Sequence, residues 1–212
     1  MRKPSPSTHL PHPTRGVDTP SMVIIMHLAA SVKEYLGAYL HERPDVPACC
    51  PTCRGIMSPW GRYFRYCRDG DDLVQVPIYR YRCSHCNITC SLLPCFLSPY
   101  LPHHVRVREH AMRSYVKEEP IEKVAEEVDV EPRTVSRWIK RLSSLFGDLS
   151  TYFLGVLASR QEPIRLPKDN PTTPRKRIGT LLWLAEMVFF RHSLYSALGV
   201  FALINLVTPW FV

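Results

Sequence analysis

Two short stretches decide the fold: Cys50-Pro51-Thr52-Cys53 and Cys83-Ser84-His85-Cys86. Each is a Cys-x-x-Cys pair, and 29 residues separate Cys53 from Cys83. A Cys-x-x-Cys turn presents two thiolates at the bite a tetrahedral ion needs, and its backbone N–H groups can hydrogen-bond the sulfurs. Two such knuckles joined by a β-hairpin make a zinc ribbon. Cys50, Cys53, Cys83 and Cys86 are therefore predicted to hold a structural Zn²⁺. A segment of about fifty residues buries little core by itself, and the metal would supply the missing stability. Free or redox-active thiols and a rubredoxin-like iron site are the competing readings. Cys49 could stand in for Cys50, but only Cys50 gives the spacing. Cys67, Cys90 and Cys95 read as small buried hydrophobes, and His85 as a solvated loop residue.

Between the knuckles, Trp60–Tyr66 (WGRYFRY) and Val74–Arg82 (VQVPIYRYR) are aromatic or β-branched and alternate, so both read as strands. Asp69-Gly70-Asp71 reads as the hairpin turn. Arg62, Arg65, Arg80 and Arg82 are interleaved with Tyr63, Tyr66, Tyr79 and Tyr81. Neighbours in a strand face opposite sides. One face would then bury tyrosines while the other shows arginines to phosphate; a merely solvated strand face is the alternative.

Downstream, residues 120–142 read PIEKVAEEVDVEPRTVSRWIKRL. Ile121, Val124, Ala125 and Val128 follow an i, i+3, i+4, i+7 spacing, as do Val135, Trp138, Ile139 and Leu142. Asp129-Val130-Glu131-Pro132 turns the chain, with Val130 as a buried pin and Pro132 at the first helical position. This is the pattern of a helix-turn-helix. The first helix is acidic outside (Glu122, Glu126, Glu127). The second is basic outside (Arg133, Arg137, Lys140, Arg141), with Thr134 and Ser136 near its start. Two features depart from the pattern. Asp129 stands where Gly or Asn is usual, and Glu131 where Ser or Thr would cap the second helix. A plain helical hairpin is the bland alternative.

The remaining chain is organised around these motifs. The 212 residues carry 27 Lys+Arg against 19 Asp+Glu, a net charge of +8, which fits a nucleic-acid partner and equally ordinary solubility. Residues 1–21 are basic and Pro-rich and are expected to be disordered. Residues 22–47 are expected to hold a short helix within 23–41, with Val32, Tyr35, Leu36 and Leu40 on one face, and a linker. The zinc ribbon occupies 48–101, and the helix-turn-helix domain 102–146, beginning with an amphipathic helix through Val105, Arg108, Met112, Tyr115 and Val116. A linker is expected over 147–180 and an apolar helical tail over 181–212. The expected class is α+β: a zinc ribbon, then a helix-turn-helix bundle, then apolar C-terminal helices. Secreted disulfide scaffolds are usually shorter, and the run at 23–32 has no clear cleavage site, which points to a cytoplasmic chain.

Taken together, CPTC, WGRYFRY, IYRYRCSHCNITCSLLPCFLSPY and the helix pair ending in TVSRWIKR resemble bacterial transposase-like proteins of insertion-sequence origin. The similarity is to a family known only as a domain of unknown function, and it covers roughly residues 45–145. The resemblance implies binding to double-stranded DNA, with Cys50, Cys53, Cys83 and Cys86 as ligands and the 133–141 helix facing DNA. It supplies no catalytic domain. Transposases of the acidic-triad class hold two Mg²⁺ ions with three carboxylates, whereas after residue 150 the only acidic side chains are Glu162, Asp169 and Glu186. The expectation is a zinc-dependent DNA-binding protein that is not an enzyme. The alternatives are a protein-interaction or assembly module and a membrane-anchored regulator. Residues 193–212 carry no charge over a length that could span a bilayer, but Asn205 and Pro209 interrupt the run. The tail is read instead as helices buried against the ribbon, the helical domain or a second copy, and a homodimer would suit palindromic DNA ends.

Overall fold

The computed structural model describes residues 21–46, 48–69, 72–99, 101–160 and 171–207. The chain enters through strand β1 (Ser21–Met26) and helix α1 (Val32–Tyr39). The long hairpin of β2 (Ser58–Asp69) and β3 (Asp72–Arg82) follows, then β4 (Thr89–Pro94), β5 (Leu97–Ser98) and β6 (Leu101–His104). Helices complete the chain: α2 (Val105–Val116), α3 (Ile121–Glu127), α4 (Pro132–Ser144), α5 (Phe146–Ser159), α6 (Pro174–Phe189), α7 (Tyr195–Leu198) and α8 (Val200–Val207). The mixed α+β class agrees with the sequence reading.

The strands form one curled sheet in the order β1-β4-β3-β2-β6-β5. The two predicted hairpin strands are present, and Asp69 pairs with Asp72 where the hairpin closes; Gly70 and Asp71 lie outside the described residues. Three further strands lie downstream of the second Cys-x-x-Cys pair. All six residues of β4 are buried, because it sits between β3 and β1 and is covered on both faces. A short apolar run flanked by turns is the sequence signature of such a strand, and Thr89-Cys-Ser-Leu-Leu carries it.

Residues 23–41 differ from the expected single helix. Val23-Ile24-Ile25-Met26 is strand β1, paired in parallel with Ser91–Pro94. Four consecutive large apolar residues suit a sheet edge with two covered faces better than an amphipathic helix. The helix starts only at Val32, where the Ser31 side chain accepts from the Glu34 N–H. Val32 and Tyr35 are buried as expected, whereas Leu40 lies exposed at the helix end.

The sheet separates two cores. Tyr79, Tyr81, Cys90 and Leu92 face one side, with Cys50, Cys83, Met57 and Ile88 around them. Val76, Ile78, Cys67 and Leu93 face the other, where they join α2 to α8 in a much larger cluster. The expected linker over 147–180 contains α5, anchored by Leu149, Phe153 and Leu157 at four-residue spacing, and the start of α6. Thr173 caps α6 through the Lys176 N–H, with Pro174 at the first turn. Residues 161–170 lie outside the described part.

The apolar tail folds back into the protein. Asn205 of α8 donates to the carbonyls of Cys95 (3.0 Å) and Leu97 (3.2 Å). Glu109 of α2 accepts from the Phe201 N–H at the start of α8 and from Arg113, which also bonds Glu186 of α6. The long uncharged run is split at Gly199, whose φ of 77° ends α7 and starts α8. No described helix is long and apolar enough to cross a membrane.

Candidate functional site

The four cysteines of the two knuckles converge. The first knuckle is a loop just before β2, closed by Cys50 N–H to Gly55 O (2.8 Å) and Arg54 N–H to Cys50 O (2.8 Å). The second is the β3–β4 connection, closed by Cys83 N–H to Ile88 O (3.0 Å), with the Cys86 N–H donating to the Cys83 sulfur. Each knuckle turns on a left-handed residue just after its second cysteine: Arg54 at φ 59° and Asn87 at φ 55°. Asn tolerates that conformation well.

The Sγ atoms of Cys50, Cys53, Cys83 and Cys86 lie within 4.8 Å of one another, and those of Cys53 and Cys83 are 3.6 Å apart. A tetrahedral zinc with sulfurs at about 2.3 Å requires S···S edges of about 3.8 Å, so the donor set fits a metal ion. Cys49 is exposed outside the cluster, on a bridge to Ile56, which leaves Cys50 as the fourth member.

The thiols behave as a coupled set. The backbone N–H groups of Cys53 and Thr52 hold the Cys50 thiol down at about 6. The hydrogen bond with Cys53, then burial, pushes Cys86 up to about 12. Of these two thiols, Cys50 gives up its proton the more readily and Cys86 holds on to its own. Of the remaining buried cysteines, Cys67 and Cys95 lie apart in the larger core, and Cys90 packs beside Cys50 and Cys83 without joining their cluster of sulfurs. Burial pushes Cys67 and Cys95 to about 12 and Cys90 to about 11, as expected of inert core thiols.

Helices α3 and α4 pack through the predicted residues. Val124, Ala125, Val135, Trp138, Ile139 and Leu142 are all buried. The turn is tied by the Val130 N–H to Ala125 O (3.0 Å), and Asp129 takes a left-handed φ of 49°. Asp129 is answered by Arg68 of β2, which pairs with its carboxylate. This contact, which the sequence reading missed, joins the hairpin to the α3–α4 turn. Glu131 precedes α4 without a side-chain cap. On α4, Arg133, Ser136, Arg137, Lys140 and Arg141 are exposed, and Thr134 is half-buried. Among the described residues no acidic side chain pairs with Arg133, Arg137 or Lys140.

The hairpin arginines do not share one face. Residues paired directly across a sheet point to the same side. Arg62, opposite Tyr79, lies on the cysteine side, whereas Arg65, Arg80 and Arg82 lie on the Val76–Ile78 side. Three-residue spacing between Arg62 and Arg65 requires this. Each arginine also has a local partner. Arg62 donates to Leu40 O, Arg65 to Ser98 O and Leu101 O, Arg80 to Thr89 Oγ1, and Arg82 to Asn87 Oδ1 while lying 4.4 Å from the Trp60 ring centroid. The tyrosines divide likewise: Tyr79 and Tyr81 are buried, but Tyr63 and Tyr66 are exposed.

Of the three late carboxylates, Glu186 is held by Arg113 at 2.6 Å; Glu162 and Asp169 lie outside the described residues. No curated protein and no solved structure matches the chain. Residues 50–138, from the first clustered cysteine to Trp138 of α4, match the model of a family described as Domain of unknown function (DUF6431), and that description carries no activity, ligand or partner.

Proposed function

We propose that this chain is a DNA-binding protein that reads duplex DNA with α4 and uses Zn²⁺ at the four cysteines as a structural cross-link. The observation that carries the reading is the outer face of α4, where Arg133, Arg137 and Lys140 stand exposed without acidic partners. The second helix of a helix-turn-helix enters the major groove with its early residues against base edges and its later basic ones against phosphates. Thr134, Ser136 and Arg137 occupy the early positions, and Lys140 and Arg141 the later ones. Arg68 neutralises Asp129 in the preceding turn, which removes the charge that would most oppose DNA there.

In this reading the zinc is no reaction centre. Four thiolates fill a tetrahedral ion and leave no position for water or substrate. The chain is then a non-catalytic relative of insertion-sequence transposases, acting in the cytoplasm, and a homodimer would match two-fold DNA ends.

A mobility shift on pooled duplexes with the metal-loaded chain tests the proposal. Binding is expected to weaken steeply with salt, and Arg137→Ala/Lys140→Ala to flatten the salt slope by roughly one per lost phosphate contact. Absence of any duplex binding by the metal-loaded protein would sink it and leave the protein-interaction reading.

A further inference from the structure

Aromatic rings left in water on a folded surface mark a contact surface when they are grouped. Every residue from Ser58 to Phe64 on β2 is exposed, so neither face of that half of the strand is covered. Trp60, Phe64 and Tyr66 are 55%, 47% and 54% exposed. The hairpin's tyrosines on β3, by contrast, are buried and hydrogen-bonded. The exposure therefore belongs to β2 alone.

Beside these rings the sheet opens at the bulge between Pro59 and Gly61. A cavity of about 290 Å³ lies there on the cysteine side of the sheet, lined by His41, Arg43 and Arg62 over the rings of Tyr79 and Tyr81. Arg62 spends one N–H on the neutral Leu40 carbonyl at 3.0 Å, and a guanidinium has five. Among the described residues no carboxylate forms an ion pair with Arg43 or Arg62. Glu42 and Asp45 flank Arg43 in sequence and reduce the local positive charge without cancelling it. A cavity with two guanidinium groups that carry no carboxylate partner is chemically matched to a phosphodiester.

The pairing of such a cavity with open rings selects one kind of nucleic acid. In a duplex the base faces are closed by their neighbours, and a flat ring gains nothing from them. Unpaired bases offer free faces, and stacking on protein rings recognises them with little sequence preference. We propose that the Tyr79–Tyr81 side of the β2–β3 hairpin binds single-stranded nucleic acid, with a backbone phosphate in the Arg43–Arg62 cavity and bases on Phe64 and Tyr66. This surface is separate from α4 and does not depend on α4 binding a duplex. The other candidate occupant is a strand from a second copy, since β2 pairs with β6 only at Arg68. Pro59 lacks the N–H a ladder needs, the adjoining bulge breaks the register, and the arginines repel a like strand, so that edge is blunted against pairing.

The test measures fluorescence anisotropy of a labelled twelve-nucleotide oligo-dT and, separately, of a hairpin duplex, using the full metal-loaded chain. Oligo-dT should bind and weaken with salt. Phe64→Ala/Tyr66→Ala should weaken it on the order of tenfold or more, and Arg43→Glu should weaken it as well. Phe64→Trp, which keeps a ring, should preserve binding. Unchanged metal content and circular dichroism would show that the variants fold. Arg137→Ala/Lys140→Ala should leave oligo-dT binding within twofold of the parent. The proposal is overturned if oligo-dT does not bind, if the ring variants bind as the parent does, if the α4 variant loses oligo-dT, or if sedimentation shows a dimer that the ring variants split.

Discussion

Toward its cysteine cluster the sheet rests on nine buried core residues, three of them cysteines. Toward the helices it rests on a cluster of thirty-five described residues, drawn from every described helix. The two sides face each other across the same strands, yet they must be stabilised differently. Nine residues around two polar turns bury too little apolar surface to fix the chain that passes through them, and the knuckles' left-handed residues Arg54 and Asn87 are exposed. On the proposed reading, a cation shared by four thiolates would replace that missing burial. On the helix side, Phe153, Leu157 and Phe201 are fully buried within the large apolar cluster, and packing alone suffices. On that reading the chain pairs a cross-linked platform with a hydrophobic bundle, and each should fail under its own challenge.

The largest separation should come from the metal. A structural zinc site contributes on the order of 10 kcal/mol of folding free energy at neutral pH. Strong chelation, or Cys83→Ser, is expected to unfold the knuckles and the β2–β3 hairpin while most of the helical circular dichroism at 222 nm persists. Hydrogen exchange should show protection lost around Cys50–Arg54 and Cys83–Asn87 and kept in α5 and α6. Simultaneous loss of both halves would show one cooperative core and break the comparison. The converse change is Phe153→Ala, which empties a site packed against Phe189 at 6.0 Å between ring centroids. It should cost about 3–5 kcal/mol in denaturant melts and leave metal stoichiometry untouched.

A smaller effect sharpens the account of the tail. Gly199 sits at φ 77°, and a Cβ there would lie 2.8 Å from Oε2 of Glu109. That carboxylate is already engaged by the Phe201 N–H and Arg113. Gly199→Ala should therefore cost about 1–3 kcal/mol through backbone strain and displacement of Glu109. Were the α7–α8 segment not docked on α2, the substitution would be nearly silent in a thermal melt.

What was legible in the sequence follows the same division. The cysteine pairs were legible because ligand spacing is a local constraint, and so were α3 and α4, whose apolar residues repeat at helical period. The strand at Ser21–Met26 was not, because Val-Ile-Ile-Met has no period to distinguish a doubly covered edge strand from a helix. α5 was hidden by the Pro-rich stretch that follows it, although Leu149, Phe153 and Leu157 repeat every four residues. The hairpin arginines were assigned to a common face against the two-residue period of a strand, and the cross-strand register with Tyr79 and Val76 divides them. Arg68 was passed over altogether, since a contact between residues 61 positions apart leaves no mark in a local pattern.

That contact is where the two regions meet, and it should also be the weakest link tested. Arg68 on the hairpin pairs with Asp129 in the α3–α4 turn, but their side chains are 37% and 75% exposed. Water screens such a pair, and ordering two mobile side chains offsets most of its Coulomb attraction, so it is worth about 0–1 kcal/mol. Asp129→Asn keeps a residue that tolerates φ 49° and removes only the charge. The expected outcome is a loss below about 1 kcal/mol that disappears in 1 M salt, where the screening length falls to about 3 Å. Duplex affinity should hold or rise slightly, because one negative charge leaves the turn that precedes α4. A loss of several kcal/mol, insensitive to salt, would mean that this junction, rather than the shared sheet, holds the cysteine platform and the helical bundle together.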